Sequence, residues 1–347
     1  MASFRTFAAK RLFHGLVMYL VMALAYSLVF NGIAEKSLRA QADEEVARRM
    51  RGAGSLDAAD YQRLLDAAKL AKQRQYHLEE AWGGRVLWRT LDILSFDFGR
   101  STGLKSAAGS GEVLAIVFEA LPNTLFLFTT EAALVLVLGG LLGLRAARRP
   151  GGKLDKIASV LPMALNGFPA WWVGMLTLML FSYAIPLFPS GGVHSNPAPS
   201  GFAGIMDYLR HMLLPLLTVV ALNLWNAAWL VRNLVADAYS RDFVTAARAR
   251  GLSEARVGIH VLSAIRPAIA TMVVLGLLQS ITGNILIEGI FNWPGLGSLY
   301  FTAVQQSDVP VLMAILSLQT ALNLAGLVLL DLGYGWMDPR IRIGAGA

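Results

Sequence analysis

The sequence contains no cysteine among its 347 residues, so disulfide bonds and thiolate metal sites are excluded. Charged residues are also scarce, at 15% of the chain against 55% hydrophobic residues. Soluble domains rarely combine these proportions, and runs of about 20 apolar residues have the length that crosses a bilayer as a helix. The composition therefore predicts a membrane protein.

Two catalytic signatures are absent as well. The chain has no Gly-x-x-x-x-Gly-Lys-Ser/Thr phosphate loop and no His-Glu-x-x-His pair. A membrane enzyme would need clustered catalytic polar groups, which the sequence does not display. We therefore expect a chain that is not an enzyme, binds no cofactor or metal and does not hydrolyse ATP by itself.

Six apolar runs are each long enough to span the bilayer as a helix. A β-barrel would need alternating segments of about 10 residues, which these runs are not. The first run follows basic residues as a signal peptide would, but it is too long and lacks a clear cleavage site, so we interpret it as an uncleaved span. The runs cover residues 12–33, 113–144, 157–188, 212–231, 268–290 and 311–330.

The net charge of +7 is unevenly distributed along the chain. Basic residues concentrate before the first run, between the second and third, and between the fourth and fifth. Lys and Arg are absent from residues 189–208 and 288–310. This pattern indicates membrane topology, with both termini cytoplasmic, and not a nucleic-acid partner.

Residues 34–112 are the exception, with many charges of both signs. Long translocated segments escape the charge rule, so we expect an extracytoplasmic insertion. Tyr61, Leu64, Leu65 and Ala68 recur at helical spacing, and Asp57 is a candidate helix cap. A small helical subdomain is the prediction, and a loose solvated linker is the alternative.

Residues 232–267 connect the fourth and fifth runs and should form short helices along the membrane face. Alanine favours helix and leaves little side-chain bulk, so a partner surface could approach closely. Gly251 suits the left-handed end of a helix, and Ser253 can cap the next one. The alternative is a basic loop that touches lipid headgroups.

The last connection contains a turn, Trp293-Pro294-Gly295, whose proline disfavours a continued helix. It could lie at the external mouth of a pathway, or it could be an interfacial turn with Trp293 as its anchor. Glu131, inside the second run, either has a pathway role or pairs with Asn223 or Asn226. Asp331 lies near the cytoplasmic end of the last run, where snorkelling or pairing with Arg340 would explain it.

Several short motifs follow one another along about residues 85 to 342. They are Asp97-Phe98-Gly99-Arg100-Ser101, Leu121-Pro122-Asn123-Thr124-Leu125, Phe243 to Gly251 with His260 and Pro267, Glu288, Phe291, Trp293-Pro294-Gly295-Leu296-Gly297, Asp308-Val309-Pro310, Asp331 and Asp338-Pro339-Arg340-Ile341-Arg342. In this order and spacing they resemble the permease subunits of oligopeptide, dipeptide and nickel ABC importers. Thr245 stands where that family usually has Glu, and Asn31-Gly32-Ile33-Ala34-Glu35 stands where it has a Pro-Gly-Asp-Pro turn.

The resemblance implies an all-α polytopic membrane protein with six transmembrane helices and the architecture of type I ABC-importer permeases. Residues 1–33 would hold the cytoplasmic N-terminus and first span, 34–112 the extracytoplasmic helical insertion, and 113–347 a five-helix core with an ATPase-docking loop at 232–267. The implied docking residues are Thr245, Ala246, Ala247, Arg248, Ala249, Arg250, Gly251 and Leu252. The implied pathway or external-gate residues are Glu288, Phe291, Trp293, Pro294 and Gly295.

The resemblance also implies partners in a bacterial cytoplasmic membrane. They are a second permease, two cytoplasmic ATPases that bind ATP and Mg²⁺, and an extracytoplasmic substrate-binding protein. The expected cargo is a peptide, with nickel chelates and glycosides as alternatives. A secondary transporter or channel without ATPases is the other hypothesis, but the inverted repeats with broken helices expected of it are not visible in the sequence.

Overall fold

The protein is described from a computed structural model, which places residues 4–51, 58–75 and 78–337. Helices account for most of this part of the chain, and the one β-bridge recorded within it pairs Arg100 with Glu112. The helices are α1 (Phe4–Arg51), α2 (Ala58–Gln75), α3 (Trp82–Ser95), α4 (Val113–Leu134), α5 (Gly140–Ala147), α6 (Lys153–Leu165), α7 (Ala170–Leu178), α8 (Gly201–Ser240), α9 (Asp242–Ala249), α10 (Glu254–Thr282), α11 (Ile285–Ile290), α12 (Leu296–Gln305) and α13 (Val309–Met337).

Five of the described helical stretches are long and apolar enough to cross a membrane. A sixth span results if α6 and α7 are counted together, which agrees with the six predicted runs. The second span is continuous from Val113 to Ala147, because a π-helical turn, Val135–Gly139, joins α4 to α5. The all-α polytopic fold predicted from the sequence is confirmed.

Two of the predicted runs are not single helices. The third run bends by 96° between Leu165 and Ala170, where Pro169 lacks the N–H that a continuous helix would need. The fifth run, predicted to reach residue 290, ends as a helix at Thr282. Gly283 follows with a φ of +68°, and α11 then starts a new helix.

The chain forms two compact units, and the first includes described residues 4–11, 121–298 and 325–337. Two glycines, one in the π-helical turn and one in α5, let the second span lie close against α8 in this unit. A methyl group at Gly143 would lie 2.5 Å from the Ala228 carbonyl oxygen, and one at Gly139 would lie 2.8 Å from Ala227 Cβ. Small residues four apart allow such close helix packing in membranes.

Two ion pairs join helices of the first unit. Arg232 on α8 donates to Asp155 on α6, with Nε 2.6 Å from Oδ1. Asp155 is buried, so the pair ties the start of α6 to α8. Arg11 lies 3.1 Å from Asp331. The predicted partner of Asp331 was Arg340, which lies outside the described residues. In the structure, Arg11 forms the ion pair with Asp331.

The second unit includes described residues 12–51, 58–75, 78–120 and 299–324. Helix α3 lies along α1, where Ser27 Oγ donates to the Val86 carbonyl at 2.9 Å. The buried Arg89 guanidinium donates to both the carbonyl and the side-chain oxygen of Asn31. These contacts replace water around polar groups that the helix pair buries.

The predicted insertion, residues 34–112, is largely helical where it is described, because α1 continues to Arg51 and α2 and α3 follow. Asp57 and the side chains of Tyr61 and Leu64 lie outside the described residues. Leu65 and Ala68 are partly buried on α2. The extracytoplasmic placement and the domain boundaries remain predictions.

Candidate functional site

The loop that joins α8 to α10, residues 241–254, is here named the α9 loop. Its helix α9 ends at Ala249, and Gly251, two residues later, has the predicted left-handed backbone with a φ of +77°. Gly251 N donates to the Arg248 carbonyl at 2.9 Å, and Leu252 N donates to the Ala247 carbonyl at 3.2 Å. These two bonds form a Schellman motif, which satisfies carbonyl groups at the end of α9.

Side chains of α9 divide between an inner and an outer face. Val244 and Ala247 are buried, at 0% and 8% exposure, and pack with apolar residues of α8 and α10. Ala247, which belongs to the predicted docking set, therefore faces the interior of its own subunit. The exposed members of the predicted docking set are Thr245, Ala246, Arg248, Ala249, Arg250 and Gly251.

The start of α10 differs in detail from the prediction. Ser253 stands at the N-cap position, but its side chain makes no capping hydrogen bond. Glu254, in the first turn of α10, instead accepts from Arg248, with Nε 2.7 Å from Oε1. The hydrogen bond to this carboxylate raises the pKa of the Arg248 guanidinium. The pair spans the glycine turn on its exposed side.

Residues 284–298, here named the α11 turn, lie between the span that ends at Thr282 and the span that begins at Val309. Asn284 caps α11 by accepting hydrogen bonds from Leu286 N and Ile287 N, both at 3.1 Å. Glu288 is fully buried within it, at 0% exposure. A buried carboxylate requires hydrogen-bond donors, and the α11 turn is arranged around this one.

Glu288 receives those donors from two elements. Thr124 Oγ1 on α4 donates to Oε1 at 3.0 Å, and Ser298 N donates to Oε2 at 3.0 Å. Thr124 Oγ1 in turn accepts from Leu296 N at 2.6 Å. Burial raises the pKa of Glu288 to about 6, and the hydrogen bonds from Ser298 and Thr124 lower it by less.

Trp293 is also fully buried in the α11 turn. Its Nε1 donates to the Asn123 carbonyl at 3.0 Å, and its ring meets that of Tyr208 edge-on at 5.3 Å between centroids. Asn123 Nδ2 returns a hydrogen bond to the Pro294 carbonyl at 2.9 Å. The alternative of a membrane-interface anchor does not fit Trp293, because its side chain has no exposed surface.

Position 295 requires glycine because the side chains of Thr124 and Glu288 lie close to its backbone. A methyl group there would lie 2.6 Å from Glu288 Oε2 and would also overlap Thr124 Oγ1. Real side chains do not occupy such distances, so any larger residue must displace the carboxylate or α4. Of the predicted gate residues, Glu288, Phe291, Trp293 and Gly295 are buried and Pro294 is exposed.

The partners that α4 supplies to this turn were not among the predicted site residues. Asn123 and Thr124 belong to the second-span motif, and they lie more than 150 positions away from the α11 turn in sequence: 164 separate Thr124 from Glu288. No local pattern connects two motifs so far apart. Their proximity is a product of the tertiary fold.

The intramembrane acid Glu131 has the partner that the sequence suggested. Asn223 Nδ2 donates to Glu131 Oε1 at 2.9 Å. Asn226, the other candidate, instead exchanges two hydrogen bonds of 3.1 Å with Asn166. The predicted pairing of Glu131 with Asn223 is confirmed, and it does not test a pathway role for these groups.

Residues 139–343 match the family described as the inner membrane component of binding-protein-dependent transport systems. The chain belongs to this family. The match includes the α9 loop and the α11 turn. This inner membrane component is therefore a multi-pass membrane protein and one subunit of an ABC importer. Membership in this family does not support the hypothesis of a secondary transporter or channel.

Several relatives of this inner membrane component are named as permease proteins of peptide transport systems. The chain is 32% identical to the oligopeptide transport system permease protein AppB of Bacillus subtilis, over 72% of this chain and 78% of AppB. It is 31% identical to the di/tripeptide transport system permease protein DppB of Pseudomonas aeruginosa, over 63% and 71% of the two chains. The dipeptide permease DppB of Bacillus subtilis is 28% identical over 80% and 85%.

Proposed function

We propose that this chain is the permease subunit that forms half of the pathway of a peptide importer. The relatives named as oligopeptide, dipeptide and di/tripeptide permeases support a peptide cargo. Nickel chelates and glycosides are the alternative cargoes. The chain supplies the pathway and the coupling surface, and separate subunits supply the ATP hydrolysis.

The α9 loop is the proposed docking surface for an ATPase. The observation that carries this assignment is the outer face of α9, where small side chains stand beside exposed arginines. A partner can approach Ala246 and Ala249 closely, while Arg248 and Arg250 offer charge. The Schellman end and the apolar inner face hold the helix rigidly, so that a push on α9 moves α8 and α10.

The proposed complex contains three further kinds of subunit and lies in a lipid bilayer. A second permease completes the pathway, two cytoplasmic ATPases bind ATP and Mg²⁺, and an extracytoplasmic binding protein delivers the cargo. The lipid bilayer surrounds the spans. Closure of the ATPases would pull on the α9 loop and alternate the access of the pathway, whereas the α11 turn would support its external gate.

The orientation assigned to this chain puts both termini in the cytoplasm of a bacterium. Two connections without Lys or Arg would then be extracytoplasmic. Reporter fusions after Gly192 and after Ser298 should both report the outer side. A cytoplasmic signal at either position would contradict the proposed topology.

Reconstitution tests the proposed function directly. The permease is placed in liposomes with its ATPases, its second permease and its binding protein, and uptake of trialanine is measured. We expect uptake that requires ATP, and ATPase activity that rises when the liganded binding protein is added. Uptake that follows an ion gradient without ATPases would instead establish a secondary transporter.

A further inference from the structure

Four polar side chains of the first unit form two hydrogen-bonded pairs near the middle of the spans. Glu131 is close to the midpoint of the span Val113–Ala147, and it accepts from Asn223 at 2.9 Å. Asn223 lies three residues before Asn226 on the same helix, so the two pairs are neighbours along α8. The amide cluster consists of Glu131, Asn166, Asn223 and Asn226.

The amide cluster opens toward the surface of this subunit. Asn166 and Asn223 are exposed, and Glu131 is partly exposed. Val219, Val220 and Ala227, which share the side of α8 on which Asn223 lies, are buried. Asn223 is therefore exposed between buried neighbours on this side of α8.

Contact between the charged Glu131 side chain and lipid would cost free energy. Glu131 is the only Asp, Glu, Lys or Arg in residues 120–144, and residues 157–184, 211–231 and 268–282 contain none. Glu131 Oε2 accepts no hydrogen bond from the described residues. An intramembrane acid with an open oxygen requires water or a polar ligand rather than hydrocarbon.

The backbone beside the cluster leads to the same conclusion independently. Asn166 ends α6 at the 96° break, and Gly167, Phe168 and Pro169 in that break are all exposed. Irregular backbone at membrane depth is tolerated only where it is covered by protein or lines a water-filled cavity. The surface that contains the amide cluster must therefore face such a cavity or a partner subunit.

The side chains define the chemistry of a ligand. Side-chain amides donate and accept in the same pattern as peptide groups, and a carboxylate pairs with a cationic nitrogen. We propose that the amide cluster is a cargo-binding site on the transport pathway, in which Glu131 binds a cationic nitrogen of the peptide and the asparagines bind its peptide groups. This inference rests on the proposed function.

The absence of cysteine allows a test of water access. Asn223→Cys is made in the assembled importer and treated with a charged methanethiosulfonate reagent. Leu217→Cys is the matched control, since Leu217 is 49% exposed on the same helix and lies about 120° around it from Asn223. We expect rapid labelling at position 223 and little at 217. Failure to label position 223 would overturn the pathway assignment.

Protection from labelling tests the ligand. Trialanine, N-acetyl-trialanine and N-acetyl-Ala-Lys-Ala are compared as protectants of Asn223→Cys. Protection by trialanine alone identifies the terminal ammonium as the cation, and protection by the lysine peptide identifies a side-chain amine. Equal protection by all three, or by none, would contradict a role for the Glu131 charge.

Uptake by Glu131→Gln separates a binding role from a structural one. Glutamine keeps an oxygen that accepts from Asn223, so a structural pairing would survive, whereas the charge is lost. We expect trialanine uptake to fall about tenfold, the effect of losing one charge-assisted hydrogen bond, with unchanged protein in the membrane. Parental uptake by this variant would disprove the inference and leave the proposed function intact.

The proposed peptide cargo and the proposed binding site at the amide cluster can be disproved separately. If the parent importer takes up no peptide, the peptide cargo is wrong, and the assignment of the amide cluster as a peptide site is wrong with it. The labelling of Asn223→Cys then still decides whether the cluster lines a water-filled path. If the parent imports trialanine but position 223 is inert, only the site assignment is wrong.

Discussion

The α9 loop and the α11 turn are both connections between spans, yet they are stabilised in different ways. The α11 turn buries a carboxylate and an indole, and α4 satisfies both with hydrogen bonds. The α9 loop buries only apolar side chains on one face and leaves its charges exposed. Substitutions in the first should therefore impair folding, whereas those on the outer face of the second should impair partner binding.

Gly295→Ala should have the largest effect of the substitutions considered. The added methyl group overlaps Thr124 and lies 2.6 Å from the Glu288 carboxylate, and overpacking of this kind costs about 3 kcal/mol. Gly289→Ala is the control, because a methyl group there meets nothing within 4 Å. Thermal midpoints in detergent should fall for position 295 and not for 289. Equal midpoints would remove the distinction between the α11 turn and the α9 loop.

Ala247→Arg tests the inner face of the α9 loop. Ala247 is 8% exposed, so a long charged side chain must displace its apolar neighbours, at a cost of about 2 kcal/mol. Ala246→Arg is the matched variant on the exposed face. We expect lower stability for position 247, and normal stability with weaker ATPase association for 246. Weak ATPase binding with parental stability at both positions would place Ala247 on the contact surface after all.

Gly251→Ala tests the end of α9. The φ of +77° is strained for any side chain with a Cβ, and the cost is about 1 kcal/mol. Asparagine tolerates this backbone better than alanine, so Gly251→Asn should lose less. Thermal midpoints and ATPase activity of the reconstituted importer should rank parent, Asn, then Ala. The reverse order of the two variants would indicate that side-chain bulk, and not backbone strain, is decisive.

Arg248→Ala should have the smallest effect on stability. Arg248 and Glu254 are 50% and 68% exposed, and solvent screens such a pair. We expect a thermal midpoint within error of the parent, at low and at high salt. If Arg248 contacts the ATPase, association should weaken while stability is retained. A marked loss of stability would mean that the α9 loop, like the α11 turn, depends on its polar contacts.

Local patterns in the sequence predicted much of the α9 loop. The glycine turn at Gly251 follows from the freedom of glycine to adopt positive φ, and the helix before it follows from its alanines. Whether Ala247 lies on the buried or the exposed face of α9 was not predictable in the same way. Alanine fits an exposed and a buried position equally well, so only its packing against α8 and α10 decides which face it occupies.

The breaks within two of the apolar runs could not be predicted from hydropathy either. The runs 157–188 and 268–290 stay apolar across their breaks, so hydropathy alone does not detect the 96° bend or the separate helix α11. Proline at 169 and Gly283 were the local signals. Neither reveals the direction in which the chain continues, because direction depends on what the next helix packs against.

By itself, the sequence determined that this chain is a helical membrane protein with six apolar runs and the motifs of an importer permease. Hydrocarbon cannot hydrogen-bond to the backbone, so apolar runs of this length must become helices. The tertiary structure alone decided that Thr124 meets Glu288 and that Asn166 meets Asn226. Those contacts join residues distant in sequence, and buried polar groups find their partners only when the helices that present them have packed together.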